Sequence, residues 1–242
     1  MGTEGAGVSD PIYLPDERGV RASRFGRGNR KLGDVYTYSR LPGRPCRPPL
    51  GSDRPTLSVG TCPGATPECL SICYAARVVA EDGMVAQIWT DNSGDAVPAN
   101  LPYDCTLFRL HVSGDFDTEN YILAWRDVLA HHDRVTAWAY TRSWRIPDLL
   151  PALEELRALP NVQLFASMDA STVELPPVGW RRAWIDGDAR ADTRGLPETR
   201  NRHTFDHQRT LVCPEQTGHK PTCQACRYCF DGRRGDVTFL QH

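Results

Sequence analysis

The sequence of 242 residues lacks an apolar run of about 18 residues, the length that a membrane-spanning helix requires. Its first residues also lack the basic start and the hydrophobic stretch that mark a secretory signal. Neither a membrane span nor export is therefore predicted, and the expected compartment is the cytoplasm. The apolar fraction of 40% is sufficient for a buried core, so we expect a globular protein.

The chain also lacks a large excess of charge of one sign. Its net charge is −2, which by itself predicts no polyanionic partner. Lysine is nearly absent, with only Lys31 and Lys220. The basic residues nevertheless concentrate between positions 18 and 54: Arg18, Arg21, Arg24, Arg27, Arg30, Lys31, Arg40, Arg44, Arg47 and Arg54. This segment predicts either a contact with phosphates, with nucleic acid as the partner, or a solvated arginine-rich surface.

Cysteine, by contrast, is abundant, with nine residues. In a reducing cytoplasm so many thiols are poorly explained as disulfides, and clustered thiols favour metal binding. His203 and His207 are a further candidate metal pair, but the polar stretch around them predicts an exposed loop.

Composition divides the chain into three predicted segments. Residues 1–54 form an irregular N-terminal arm rich in Gly, Pro and Arg, with one strand at Val35–Tyr38. Residues 55–209 form the core, and residues 210–242 form a cysteine-rich metal-binding segment.

Strands and helices alternate within the predicted core. Strands are expected at Thr56–Val59, Thr106–Val112, Val135–Tyr140, Asn161–Ala166 and Arg181–Ile185. Asp117 or Thr118 is expected to cap a helix, and Pro147 to begin another.

Polar motifs follow successive strands at intervals of about one strand–helix unit: Ser113, Ser143 and Ser167. This spacing predicts an α/β fold with a parallel sheet. Loops that follow parallel strands share one face, so these motifs should converge there with the first cysteine loop and Asp186.

The first cysteine group consists of Cys62, Cys69 and Cys73, in a loop rich in Gly and Pro that runs into a helix. Cys69 and Cys73 are expected to share a helical face, and the loop can fold Cys62 toward them. Three thiolates suit a cluster with one open iron, whereas structural zinc requires a fourth ligand. Cys46 could supply that ligand, while Cys105 is expected at the opposite end of the sheet. Buried free thiols are the remaining alternative.

The second group consists of Cys213, Cys223, Cys226 and Cys229. A Cys-x-x-Cys-x-x-Cys run with a remote Cys-Pro partner matches the spacing of ferredoxin-type four-iron clusters. Zinc is the alternative, because Cys-x-x-Cys knuckles are common zinc ligands. Iron–sulfur is favoured, since this spacing crowds one tetrahedral ion more than the corners of a cube. One or two [4Fe-4S] clusters are therefore predicted.

Together these motifs resemble an uncharacterised actinophage family known as gene product 88. The resemblance extends from Gly28 to Cys229 and includes HVSGDF at 111–116, YTRSW at 140–144 and SMD at 167–169. It implies a phage or mobile-element origin, and hence the host cytoplasm.

A more distant resemblance is to radical S-adenosylmethionine enzymes, which have a partial α/β barrel with a three-cysteine cluster loop. It implies that Ser113-Gly114-Asp115 replaces the family's Gly-Gly-Glu segment, which binds the methionine amino group of the cofactor. Ser167 and Asp169 would meet the ribose. The cysteine spacing differs, with six and three intervening residues instead of three and two.

Four residues on the predicted face are candidate catalytic groups. His111 could be a ligand, a proton carrier or a hydrogen-bonded strand-end residue. Asp115 could act in catalysis or cap a helix. Arg142, with Trp144, could bind a carboxylate, stack a base or close the loop. Asp169 is the fourth.

Two functions are compatible with these patterns. In the first, an open iron binds S-adenosylmethionine, and a radical modifies an unknown substrate with electrons from a reductase or ferredoxin; nucleic acids and nucleotide-related compounds are the candidate substrates. In the second, zinc or iron–sulfur groups stabilise a phage protein that binds nucleic acid through the basic 18–54 arm without catalysis. Polar motifs at three successive strand ends favour the enzyme, because a scaffold does not need them.

Overall fold

The computed structural model of the chain describes residues 12–13, 24–44, 60–94, 96–188, 210–232 and 235–241. These residues form a mixed α/β fold around a nine-stranded sheet. The strands are β1 (Ile12–Tyr13), β2 (Arg24–Asn29), β3 (Gly33–Tyr38), β4 (Leu107–Leu110), β5 (Thr136–Thr141), β6 (Val162–Met168), β7 (Arg181–Asp188), β8 (Thr210–Val212) and β9 (Asp236–Gln241).

The sheet is open and mostly parallel, with the order β1-β2-β3-β4-β5-β6-β7-β9-β8. Every neighbouring pair from β3 onward is parallel, whereas β1 and β2 form an antiparallel edge. The carboxyl ends of β3 to β6 therefore meet at one edge, where ligands bind in parallel α/β folds. The expected α/β class is confirmed, and β1 and β8 at opposite margins show that the sheet is not closed into a barrel.

The described helices are α1 (Pro67–Ser71), α2 (Tyr74–Glu81), α3 (Gly83–Asp91), α4 (Glu119–His131), α5 (Leu150–Arg157) and α6 (Cys223–Cys226). Two of them, α4 and α5, cover one face of the sheet. Thr118 caps α4, as expected, by accepting the N–H of Tyr121 on its hydroxyl oxygen (3.2 Å). Trp125 of α4 and Leu153 of α5 are fully buried against alternate residues of β3 to β6, which form the main core.

The opposite face of the sheet is covered by the C-terminal segment. Val35 and Trp138 point to this face and pack with Phe230, whose ring centre lies 4.7 Å from that of Trp138. Phe165 and Val237 pack with Cys213 in the same layer. Because side chains alternate along a strand, each strand serves both layers.

Several sequence expectations differ from the observed elements. Val35–Tyr38 lies within β3, which pairs in parallel with β4 and belongs to the sheet, not to an irregular arm. A turn between β2 and β3 makes this possible, with Gly28 and Gly33 at φ of 66° and 77°. The predicted strand Thr56–Val59 lies outside the described residues. Pro147 does not begin α5, because a short 3₁₀ turn and residues 146–149 precede it.

The predicted segment boundaries at 54 and 209 both fall among undescribed residues, so that division stays a prediction. Both flanking segments contribute strands to the one sheet, β2 and β3 from the first and β8 and β9 from the last. Among the described helices, none has the length and apolar character needed to cross a bilayer.

Candidate functional site

The four C-terminal cysteines line one pocket between the sheet and the C-terminal segment. The pocket, counted together with its space open to solvent, has a volume of about 330 Å³. Its other walls are mainly aromatic and aliphatic, and the full lining is Cys213, Pro214, Glu215, Cys223, Cys226, Tyr228, Cys229, Phe230, Val237 and Phe239. Cys213 follows β8 and is held by its N–H, which donates to the Thr238 carbonyl (2.8 Å). The sequence had predicted this set of thiols, and the fold brings them together.

A tight backbone turn places three of these thiols. Cys223 and Cys226 begin and end α6, a single helical turn in which the Thr222 hydroxyl caps the Ala225 N–H (3.1 Å). Arg227 then adopts a φ of 61°, in the left-handed region, so that the chain reverses and returns Cys229 toward the pocket. The spacing of two residues between cysteines is thus used to form a knuckle.

The knuckle is fixed to the turn between β2 and β3. The Cys223 N–H donates to the Lys31 carbonyl (2.8 Å), and the Gln224 N–H donates to the Leu32 carbonyl (3.1 Å). The Gln224 side chain accepts the Asp34 N–H (3.1 Å). The C-terminal thiol group is therefore built on a part of the chain that is nearly 200 residues distant in sequence.

Burial raises the pKa of two of these thiols and so favours their neutral form. It raises the pKa of Cys223 to about 11 and the pKa of Cys229 to about 12, in the latter case against the opposing effect of the Tyr140 hydroxyl. Without a bound cation Cys223 and Cys229 are therefore neutral thiols at physiological pH. A metal that binds here as a thiolate complex must therefore displace protons.

Two cationic side chains beside this pocket lack a carboxylate partner. The Arg109 guanidinium carbon lies 5.0 Å from the Tyr140 ring centre, and Arg181 lies 4.1 Å from the Phe165 ring centre. Arg181 donates to backbone carbonyls, including that of Cys229 (3.2 Å). Within the described part of the chain, neither arginine forms an ion pair. Burial lowers the pKa of Arg181, and an ionised Cys229 would raise it.

The first cysteine loop lies on the carboxyl end of β5. A Cβ on Gly64 would stand 2.1 Å from the Arg142 carbonyl oxygen, so the backbones of loop and strand are in direct contact. Arg145 donates to the Gly64 carbonyl (3.0 Å), and the Thr66 hydroxyl donates to Asp169 (2.5 Å). The loop is thereby fixed to β5 and β6.

Cys69 and Cys73 do not share one helix, so the expectation of a common helical face is wrong. Helix α1 ends at Ser71, and Cys73 is the N-cap of α2 because the chain becomes extended between them. Burial raises the pKa of Cys62, and the neighbouring thiols Cys69 and Cys73 raise it further. The three thiols are therefore within electrostatic reach of one another, and each is half-buried.

Asp115 is a fully saturated carboxylate beneath this loop. Its oxygens accept the Thr141 hydroxyl (2.6 Å), the Arg142 N–H (2.7 Å) and the Phe116 N–H (2.8 Å). Burial raises the pKa of Asp115 to about 6, although these bonds and the Arg142 charge oppose the shift. Its present role is to join the segment after β4 to the end of β5.

Asp169 and Arg142 form a buried ion pair (2.8 Å) below Cys69. Burial alone would raise the pKa of Asp169, but the Arg142 charge and hydrogen bonds from Thr66, Ser171 and Thr172 lower it below its usual value. The carboxylate that Arg142 was expected to bind is thus supplied by the chain itself. The Nη2 atom of Arg142 is buried without a hydrogen-bond partner among the described residues.

Most of the remaining predicted site residues form hydrogen bonds with other residues of the chain. His111 follows β4 with a φ of 60°, so strand alternation no longer applies, and its ring contacts the Tyr121 hydroxyl (2.9 Å) on the helix side. Burial lowers the pKa of His111 well below its usual value. The Ser113 hydroxyl donates to the Arg40 carbonyl (2.8 Å), and the Ser167 carbonyl accepts the indole N–H of a neighbouring tryptophan (3.3 Å).

Gly114 is required by the local backbone. Its φ is 79°, and a Cβ there would lie 2.6 Å from the Thr61 hydroxyl and 2.9 Å from the Arg40 carbonyl oxygen. Gly114 therefore permits three segments to meet at the carboxyl edge, namely those after β3, after β4 and before α1. Its role as a cofactor contact stays a prediction.

The basic segment contributes differently from the expectation. Arg40 is completely buried, donates to backbone carbonyls and pairs with Asp117 (2.5 Å), so it cannot contact a phosphate in this structure. Arg27 pairs with Asp34 (2.8 Å) and Asp104 (2.9 Å). These two arginines stabilise the fold, because the fold places acidic residues and carbonyls around them.

Convergence of the cysteines is incomplete for a single ion. Among the described residues, no three His, Cys, Asp or Glu side chains lie close enough to hold one metal ion. Cys105 is buried before β4, at the amino end of the sheet, as expected. Asp186 lies within β7, before its end. Cys46, His203 and His207 lie outside the described residues.

Sequence reasoning overlooked Arg109, Arg181 and Tyr140. Their motifs carry no metal-ligand or catalytic pattern, and their importance arises from pairing across the sheet. The only available signal was period-two alternation, which places Arg109 on the face opposite the buried Phe108 and Leu110. An arginine at an inward position of a central parallel strand is unusual, since such strands are normally apolar on both faces.

No solved structure matches the chain. A gene 88 protein of Mycobacterium phage D29 is 29% identical over 204 residues, covering 72% of this chain and 80% of the relative. A gene 88 protein of Mycobacterium phage L5 is 25% identical over 205 residues, with the same coverage. Both are phage proteins, as the motifs implied. The profile of the gene product 88 family matches residues 24–232, and the chain therefore belongs to that family.

Proposed function

We propose that this protein is an iron–sulfur protein with two centres, one in the C-terminal pocket and one at the Cys62–Cys73 loop. The observation that carries the proposal is the C-terminal pocket itself, which four cysteines line beside two arginines that form no ion pair within the described part of the chain. Neutral thiols carry no negative charge that could balance the positive charges of these arginines. A cluster or ion bound by four thiolates carries net negative charge and would balance them.

The donor set fits a cluster better than a single ion. Four thiolates around zinc at about 2.3 Å must lie about 3.8 Å from one another, whereas a cubane separates them because each binds a different iron. Thiols that line one pocket without converging on one point are compatible with the wider spacing. When bound, such a cluster supplies one-electron transfer.

The first site would hold a second cluster with one open iron. The charges of Cys69 and Cys73 act on the pKa of Cys62, which supports a shared site whose thiolates are spaced more widely than around a single ion, and we assign no fourth ligand. The loop is held rigidly by the glycine contact with β5 and by the hydrogen bond to Asp169, and rigid support keeps ligands in place. Its position at the carboxyl edge of the parallel strands is where α/β enzymes bind substrates.

S-adenosylmethionine is the ligand that we propose for the open iron, and the proposed reaction is of the radical type. The sheet would then correspond to the partial barrel of radical S-adenosylmethionine enzymes. Asp115, Arg142 and Asp169 are engaged with the protein, so they would position the loop and would not meet the cofactor unless it displaces them. Ser167, the least committed of the predicted cofactor residues, is partly exposed on the face of the sheet.

The alternative is a protein stabilised by zinc that binds nucleic acid without catalysis. The observation that favours zinc is the knuckle itself, with one helical turn between Cys223 and Cys226 and a left-handed residue after it. The alternative predicts one zinc per chain and no second metal site.

Anaerobic reconstitution of the full chain with iron and sulfide tests the proposal. We expect about eight irons per chain, since each four-iron cluster holds four. Cys73→Ala should halve the iron content, and Cys229→Ala should halve it by removing the other cluster. Cys105→Ala is the matched control, because Cys105 is a buried thiol remote from both groups, and it should retain all the iron.

S-adenosylmethionine provides a second readout. Its addition should perturb the electron paramagnetic resonance spectrum of the reduced wild-type protein and leave that of Cys73→Ala unchanged. A single tightly bound zinc, with no iron retained in any variant, would overturn the iron–sulfur proposal. If two clusters form and S-adenosylmethionine does not change their spectrum, the two iron–sulfur centres are supported and the radical reaction is refuted.

A further inference from the structure

Arg109 occupies a singular position in the sheet. It lies in β4 on the face covered by the C-terminal segment, in register with Trp138 of β5. Its guanidinium carbon is 5.0 Å from the ring centre of Tyr140. The Nε atom is buried and has no hydrogen-bond partner among the described residues. A buried, unpaired donor of this kind is destabilising unless an acceptor is supplied.

The surroundings of Arg109 lead to the C-terminal pocket. Arg109 contacts Tyr140, and Tyr140 packs in the same apolar cluster as Cys223 and Cys229. The Arg109 charge is close enough to Cys223 to interact with it. No carboxylate pairs with Arg109 in the described part of the chain, so a negatively charged centre bound by these thiols would supply the missing counter-charge.

We infer that Arg109 is a positioning residue that raises the reduction potential of the centre held by Cys213, Cys223, Cys226 and Cys229. The inference rests on the proposed function. Reduction adds one negative charge to a cluster, and a nearby fixed cation stabilises that charge. Burial beneath the C-terminal segment strengthens the effect, because water screens it less. Net charge and hydrogen bonds near the sulfurs are the usual determinants of such potentials.

The test uses the full chain in the Cys62→Ala, Cys69→Ala, Cys73→Ala background, so that only the C-terminal cluster contributes a signal. Its midpoint potential is measured by redox titration monitored by electron paramagnetic resonance. We expect Arg109→Gln and Arg109→Met to shift the potential to more negative values, with the iron content unchanged. Arg109→Lys, which keeps the charge, should stay closer to the parent protein than either neutral variant.

Arg126→Gln is the matched control. It removes the same charge from helix α4 on the other face of the sheet, where Arg126 pairs with Asp127 and Glu155, and it should leave the potential unchanged. A neutral Arg109 variant that binds about four irons and has the potential of Arg126→Gln would overturn the inference. Two neutral variants are included so that a failure of one to fold does not prevent the measurement. Absence of iron from the parent protein would instead overturn the proposed function.

Discussion

Replacing Gly64 with alanine is the sharpest perturbation of the first cysteine loop. The new Cβ would lie 2.1 Å from the Arg142 carbonyl oxygen and 2.5 Å from its carbon, both backbone atoms that cannot rotate away. Ordinary contact begins near 3.4 Å, so the loop must retreat by about 1.3 Å. Such a retreat would break the bonds from Arg145 to Gly64 and from Thr66 to Asp169.

The cost can be worked out from these contacts. Overpacking costs about 1–3 kcal/mol, and each lost hydrogen bond costs about 0.5–1.5 kcal/mol. Gly64→Ala should therefore reduce the free energy of unfolding by roughly 2–6 kcal/mol, a large part of the 5–15 kcal/mol typical of a domain. It should also lower the iron bound by the first loop and spare the C-terminal cluster, because the two groups are built on different segments.

Urea denaturation followed by circular dichroism measures the first effect, and iron analysis measures the second. Gly83→Ala is the control, since a Cβ at Gly83 meets nothing within 4 Å, and it should be neutral or slightly stabilising at the start of a helix. A Gly64→Ala protein as stable as Gly83→Ala, with its full iron content, would refute the close docking of the loop on β5.

Three further predictions concern packing and pH. Gly114→Ala should destabilise more than Gly179→Ala in urea unfolding, because both have positive φ but only Gly114 has close neighbours; equal losses would contradict this. Asp115 has a raised pKa of about 6 when folded, against 3.8, so its contribution to stability should fall by up to roughly 3 kcal/mol as the pH rises from 4 to 6. Asp115→Asn should remove that slope, and an unchanged pH profile would sink the assignment. The metal-free protein should lose stability as the pH rises above 9, because Cys223 and Cys229 ionise at a higher pH in the folded chain than in the unfolded one. The metal-loaded protein should not show this loss, and urea unfolding of both forms across this pH range measures the difference.

Local patterns predicted those elements whose determinants are close together in sequence. The cap at Thr118 and the buried stripe of α4 were foreseen because a helix is specified by neighbours three and four residues apart. The carboxyl-edge grouping of Asp115, Arg142 and Asp169 followed from strand–helix alternation, and the structure joins all three to the first cysteine loop. The C-terminal knuckle was foreseen from cysteine spacing alone.

Features that depend on distant pairing were not foreseen. β3 was assigned to an arm, although it takes the place beside β4, because nothing in residues 33–38 specifies which strand they will join. Arg40 was counted as a basic surface residue, whereas the segments after β3, α3 and β4 enclose it with carbonyls and Asp117. Cys69 and Cys73 were placed on one helix, but the chain breaks between them to dock on β5 and β6.

The amino-acid sequence by itself determined the two cysteine groups, the alternation of strands and helices and the family, because each is a matter of residue type and local spacing. Only the tertiary structure decided that the C-terminal group faces the sheet opposite the helices, that Arg109 and Arg181 stand beside it without an ion pair to any described residue, and that Asp115 and Asp169 are bound by the protein itself. The physical reason is that burial and charge pairing depend on which strands become neighbours, and contacts between distant segments decide that.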